Sequence, residues 1–124
     1  MPDEFVPIQV ETHKIEMEKT LAKFGMSGER LSLVDETERA TGAERVSRCT
    51  KIEGRIFFKK TVTAEDFREV VGSLRQFDER EKASLKDPWA FIRQRLLHEI
   101  CHIQYRHMDE YACNKWAFYE LKKG

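Results

Sequence analysis

The clearest change of hydrophobic pattern in the chain comes at Asp87-Pro88. Asp accepts orphan N–H bonds at a helix start, and Pro at the first helical position has no intrahelical bond to lose, so a long helix is predicted from there to about residue 107. At about 100° per residue, Ile92, Leu96, Ile100 and Ile103 share one apolar stripe, and His98 and His102 lie on a neighbouring side with Phe91 and Tyr105. Residues 109–121 predict a second helix after a turn around Met108. Further upstream, residues 12–24 read as a helix, with Ile15, Met17, Leu21, Ala22 and Phe24 on its apolar side and Gly25 at its end. Thr63-Ala-Glu-Asp66 has the form of a capping box and opens a helix through Phe67, Val70, Val71 and Leu74 to about residue 77. Between these, residues 30–35 alternate as a strand does, and residues 35–42 are polar enough for a turn or exposed loop. Residues 45–49 and 52–58 predict a hairpin bent near 50–54, with Gly54 marking a bulge. A short strand over 5–10 is demoted to an edge by Pro7. The whole predicts an α+β fold, with a small sheet and helices over 1–86 and a helix pair over 87–124.

Length and charge narrow the class. With 124 residues one domain suffices, and Lys+Arg 22 against Asp+Glu 22 removes the electrostatic argument for a nucleic-acid or membrane-surface partner. Apolar content of 40% beside 35% charge describes a small core under a heavily charged surface. No apolar run approaches the ~20 residues that span a bilayer, and Asp3 and Glu4 stand where a signal peptide would be basic and then apolar, so a cytoplasmic protein is expected. Cys49, Cys101 and Cys113 are odd in number and irregularly spaced, so reduced thiols are the default.

The chemistry concentrates in His98-Glu99-Ile100-Cys101-His102. On a helix, imidazoles at i and i+4 point the same way and can converge on one zinc ion, with the intervening Glu beside the metal's water. Zinc lowers the pKa of such a water to ~7, which lets Glu99 take its proton and pass it to a leaving amine while a polarised carbonyl is attacked. A catalytic zinc needs a third protein ligand and an open fourth position. Glu110 and His107 are the candidates. His107, five residues after His102, would point about 140° away from the pair on a continuous helix. Glu110 opens the following helix, which can fold back and bring its carboxylate to the ion. On that helix Glu110, Asn114, Ala117 and Leu121 share a side, where Ala117 permits close approach and Asn114 can hydrogen-bond a ligand imidazole. A rival inventory, Cys101 and Cys113 with both histidines, would make a closed structural site. It is strained, because adjacent Cys101 and His102 point about 100° apart. Arg95 and Arg106 lie near the histidine side and could meet a substrate carboxylate.

With Glu110-Tyr-Ala-Cys-Asn-Lys-Trp-Ala117 following it, this H-E-x-x-H resembles the gluzincin metallopeptidases, whose small members are called minigluzincins, and is similar to the motifs of HtpX-like, BlaR/MecR-like and ImmA/IrrE-like peptidases. The resemblance spans residues 87–121. It implies a zincin-like single domain built from a small mixed sheet, an active-site helix and a glutamate helix. It further implies one Zn2+ held by His98, His102 and Glu110, with Glu99 as general base and acid and Asn114 behind the ligands. Such enzymes hydrolyse peptide or protein substrates, pair extended substrate with an edge strand, here expected at Ile52, Ile56 and Phe58, and add an oxyanion donor, for which Tyr105, Tyr111 and His107 are candidates. Seven residues separate His102 from Glu110, fewer than those families generally use, so the turn must be abrupt. A chain of this size, with little room for a deep pocket, is expected to be latent, dimeric or partner-dependent. The alternative class is a non-catalytic regulatory or interaction module that keeps the helix pair, with or without a structural metal.

Overall fold

The computed structural model describes residues 5–37 and 46–123. Along the chain these form β1 (Ile8–Gln9), α1 (Lys14–Lys23), β2 (Leu31–Val34), β3 (Ser47–Thr50), β4 (Arg55–Lys59), β5 (Thr61–Val62), α2 (Ala64–Ser73), α3 (Glu79–Ser84), α4 (Pro88–Gln104) and α5 (Glu110–Lys122), a mixed α+β arrangement. The loop expected over 35–42 lies mostly outside the described residues, as does residue 45 of the predicted hairpin.

β3 and β4 are the hairpin the alternation predicts, and β2 adds to β4 in parallel, so the sheet order is β2-β4-β3. The register pairs Leu31 with Ile56 and Leu33 with Phe58 on one side of β4, and Cys49 with Ile56 and Ser47 with Phe58 on the other. Paired residues share a face of the pleat. Ile56 and Phe58 are wholly buried, so Ser47 and Cys49 are turned to the same interior side, toward α4. The expectation that Ile52, Ile56 and Phe58 belong to an edge strand is corrected here. Ile56 and Phe58 lie on the central strand, and Ile52 sits in the hairpin turn, 89% exposed. Alternation within β4 cannot show that β2 docks on its second side, because that pairing is long-range. Among the described residues the sheet's edges are β2 and β3. β1 pairs with β5, in a separate two-stranded ribbon.

The hairpin turn depends on Gly54, whose φ of +68° is one that L side chains rarely adopt. A Cβ there would also run into the Arg30 guanidinium, whose Nη1 donates to the Gly54 carbonyl at 3.2 Å. Gly54→Ala should therefore destabilise the protein by about 1–2 kcal/mol in urea denaturation. A loss near zero would mean that the turn has another stable form. The predicted bulge is this left-handed turn residue.

The starts of α2 and α4 are set by the predicted caps. Thr63 and Asp66 form a reciprocal capping box, and Asp66 also binds Lys59 at 2.6 Å, fastening α2 to the end of β4. α2 stops at Ser73, short of Phe77, and α3 follows behind a second capping box from Asp78 and Glu81 that the sequence reading passed over. In α1 the buried face is Met17, Thr20 and Leu21, whereas Ile15 is 66% exposed. Asp87 Oδ2 accepts from the Ala90 N–H at 2.9 Å and starts α4. α4 is buried nearly all round rather than along one stripe, because β3 covers one side and α5 another. It ends at Gln104, before His107. Tyr105 leaves helical geometry, and Asp109 caps α5 by accepting from Ala112 N–H at 2.8 Å. That tight reversal lays α5 back along α4 with Ala117 fully buried in the core.

Candidate metal centre

The one-turn spacing of His98 and His102 on α4 and the immediate return of α5 bring three donor atoms together. Glu110 Oε2 lies 2.7 Å from His98 Nε2 and 3.0 Å from His102 Nε2, and the two Nε2 atoms are 3.1 Å apart. Donors about 2.0–2.1 Å from a tetrahedral zinc sit roughly 3.3 Å from one another, so this trio needs to spread by only a few tenths of an ångström to hold an ion. Two imidazole nitrogens and a carboxylate oxygen form a donor set suited to zinc. Both histidines are buried, while Glu110 reaches in from the surface. The seven-residue connection is thus long enough.

Behind the donors the arrangement differs from the sequence reading. Asn114 does not bond an imidazole. Its Oδ1 accepts from Gln94 Nε2 at 3.3 Å and from the Arg95 guanidinium, which also donates to Gln94 Oε1 at 2.7 Å. Arg95 is fully buried, not free for a substrate, and burial lowers its pKa to about 10. The group facing His102 Nδ1 is the Cys113 thiol at 3.5 Å, and His98 Nδ1 is buried without a hydrogen-bond partner among the described residues. Both thiols of the Cys2His2 inventory lie away from the Nε2 atoms, so the closed four-ligand site does not form.

Glu99 is buried beside this trio and accepts from Ser47 Oγ at 2.8 Å. The sheet register delivers that contact, since Ser47 shares the pleat of Phe58 and looks onto α4. Nothing local in the sequence marks Ser47. Glu99, His102 and Glu110 open into a cleft of about 360 Å3 completed by Cys49, Lys51, Met108 and Asp109. Burial and the neighbouring Glu99 carboxylate push the Cys49 thiol up, so it forms an uncharged wall. The candidate oxyanion donors and alternative ligand are elsewhere. Tyr105 packs against Trp116, Tyr111 stacks on Phe77, and His107 is exposed beyond the end of α4. None of the three lines the cleft, although their neighbours Met108, Asp109 and Glu110 do. Lys51, which the sequence reading did not single out, is the cationic side chain at the rim.

No protein-family model, curated protein or solved structure matches the chain. Its chemistry therefore rests on the geometry above. Among the described residues no helix is long and apolar enough to cross a membrane.

The charges at the trio couple metal binding to protons. The Cys113 thiol and the Glu110 carboxylate push the His102 imidazole up to about 10, whereas burial lowers that of His98. Hydrogen bonds from His102 and His98 hold the Glu110 carboxyl well below the usual range. Without a cation, near neutral pH, His102 carries a proton, His98 does not, and Glu110 is ionised. A metal takes only the unprotonated nitrogen. Loading should thus release at least one proton per ion near neutral pH, and affinity should climb about tenfold per pH unit up to about pH 10. Titration calorimetry in two buffers of different ionisation enthalpy reads this directly. Absence of proton release would contradict the charge assignment.

Proposed function

We propose that this chain is a small zinc metallopeptidase of gluzincin type, hydrolysing peptide bonds in an extended substrate. The observation that carries the reading is the convergence of His98 Nε2, His102 Nε2 and Glu110 Oε2 beside a buried Glu99 at the floor of a cleft. A zinc ion held by those three side chains would supply Lewis acidity for a carbonyl and a lowered pKa for a water.

The chain's own residues do the remainder. Glu99 is the general base, taking the proton of the attacking water and handing it to the leaving amine. Ser47 holds its Oε2, which fixes the carboxylate's rotamer and leaves the other oxygen for proton transfer. Among the described residues β3 is the edge strand next to the cleft, since its Cys49 is part of the wall and Lys51 follows directly. An extended peptide adding to that edge would gain main-chain hydrogen bonds and run past Glu99. Lys51 replaces the expected Tyr or His as the donor for developing negative charge. The shallow cleft favours short or small side chains at the cleaved bond.

The test is digestion of a mixed peptide library by zinc-reconstituted protein, with new termini identified by mass spectrometry. Cleavage at a repeatable set of sites, abolished by a chelator and restored by zinc, is the expected result. Zinc-loaded protein that leaves the library intact would overturn the peptidase reading in favour of a regulatory module.

A further inference from the structure

On the far side of the His102 ring lies a second group of donors that the peptidase reading does not use. Cys101 on α4 and Cys113 on α5 are both fully buried. Cys101 Sγ lies 3.7 Å from Met108 Sδ, and Cys113 Sγ lies 3.9 Å from the Met108 carbonyl and 3.5 Å from His102 Nδ1. Met108 thus touches both thiols where α4 turns into α5, with His102 Nδ1 beside that of Cys113.

We propose that Cys101, Cys113 and Met108 form a second metal site that takes a soft monovalent ion, Cu(I), back to back with the first across His102. The donor chemistry selects the ion. Thiolate and thioether sulfur favour Cu(I), and no carboxylate is among the donors to attract a harder cation. The spacing agrees, since sulfurs about 2.3 Å from one three-coordinate ion lie about 4 Å apart, and the Cys101–Met108 pair is already at 3.7 Å. Entry is provided by Met108, which is half-exposed, lines the cleft and touches the buried thiols from it. Coordination replaces each S–H proton by the metal and passes the protons to buffer. Copper enters and stays as Cu(I), so no electron moves. The site stands whether or not the first one hydrolyses peptides.

The test is an anaerobic titration of reduced, full-length protein with Cu(I) against a coloured Cu(I) chelator, followed by circular dichroism. One Cu(I) per folded chain is expected, unchanged in His98→Ala and in Cys49→Ser. Affinity should fall by about a hundredfold or more in Cys101→Ala and Cys113→Ala, and about tenfold in Met108→Leu. Met108→Leu keeps side-chain volume, so it decides the matter even if the cysteine variants fold poorly. Absence of uptake by the wild type, affinity unmoved by Met108→Leu, or loss on His98→Ala or Cys49→Ser would each overturn the proposal.

Discussion

Glu99→Gln should keep its metal and lose about 10²–10⁴-fold in peptide turnover, the range that a positioned general base contributes. The substitution is nearly isosteric and leaves His98, His102 and Glu110 untouched. Gln can still accept from Ser47 Oγ, which lies 2.8 Å from Glu99 Oε2, so the helix and sheet should stay in register. What is removed is the capacity to take a proton. Ser47→Ala makes a useful companion, because it frees the carboxylate's rotamer while keeping its charge, and a smaller fall is expected. Turnover of Glu99→Gln within a few-fold of wild type, measured on peptides from the library digest, would remove Glu99 from the mechanism.

The largest effect on stability is expected at Arg95, one helical turn before Glu99. Its guanidinium is fully buried and joins Gln94 on α4 to Asn114 on α5. Arg95→Ala leaves a cavity, strips Gln94 Oε1 and Asn114 Oδ1 of a charged donor, and removes a buried cation whose charge acts on Glu99 and Glu110. A loss of about 3–5 kcal/mol in urea denaturation of metal-free protein is expected. Arg95→Met should lose less, because an apolar chain of similar length fills the space without the cost of burying a charge. Arg95→Ala within about 1 kcal/mol of wild type would mean that the network holds the helices only weakly.

Local signals in the sequence carry the elements that cap themselves. Asp87-Pro88, the Thr63–Asp66 box and the hairpin around Gly54 each act within a few residues, and each stands where its own side chains place it. So does the trio of His98, His102 and Glu110, because two ligands share a helix face and the third opens the next helix. Features made by distant pairings were not legible. That β4 is central follows from β2 docking on it, and Ser47 reaches Glu99 across fifty-two positions of sequence. Asn114 was expected behind an imidazole, but burying Arg95 requires polar partners, and Asn114 is one of them. The end of α4 was missed for a related reason. It carries no Gly or Pro at its C-terminus, and the stop is imposed by the cap of the following helix at Asp109.

The central claim is that His98, His102 and Glu110 hold one divalent zinc. It is tested most directly by elemental analysis and zinc titration of wild type, His98→Ala and Glu110→Ala, purified without added metal and then reconstituted. About one zinc per wild-type chain, with affinity reduced about a hundredfold or more in both variants, is the predicted result. Failure of the wild type to take zinc, or zinc that ignores Glu110→Ala but is lost in Cys113→Ala, would contradict it.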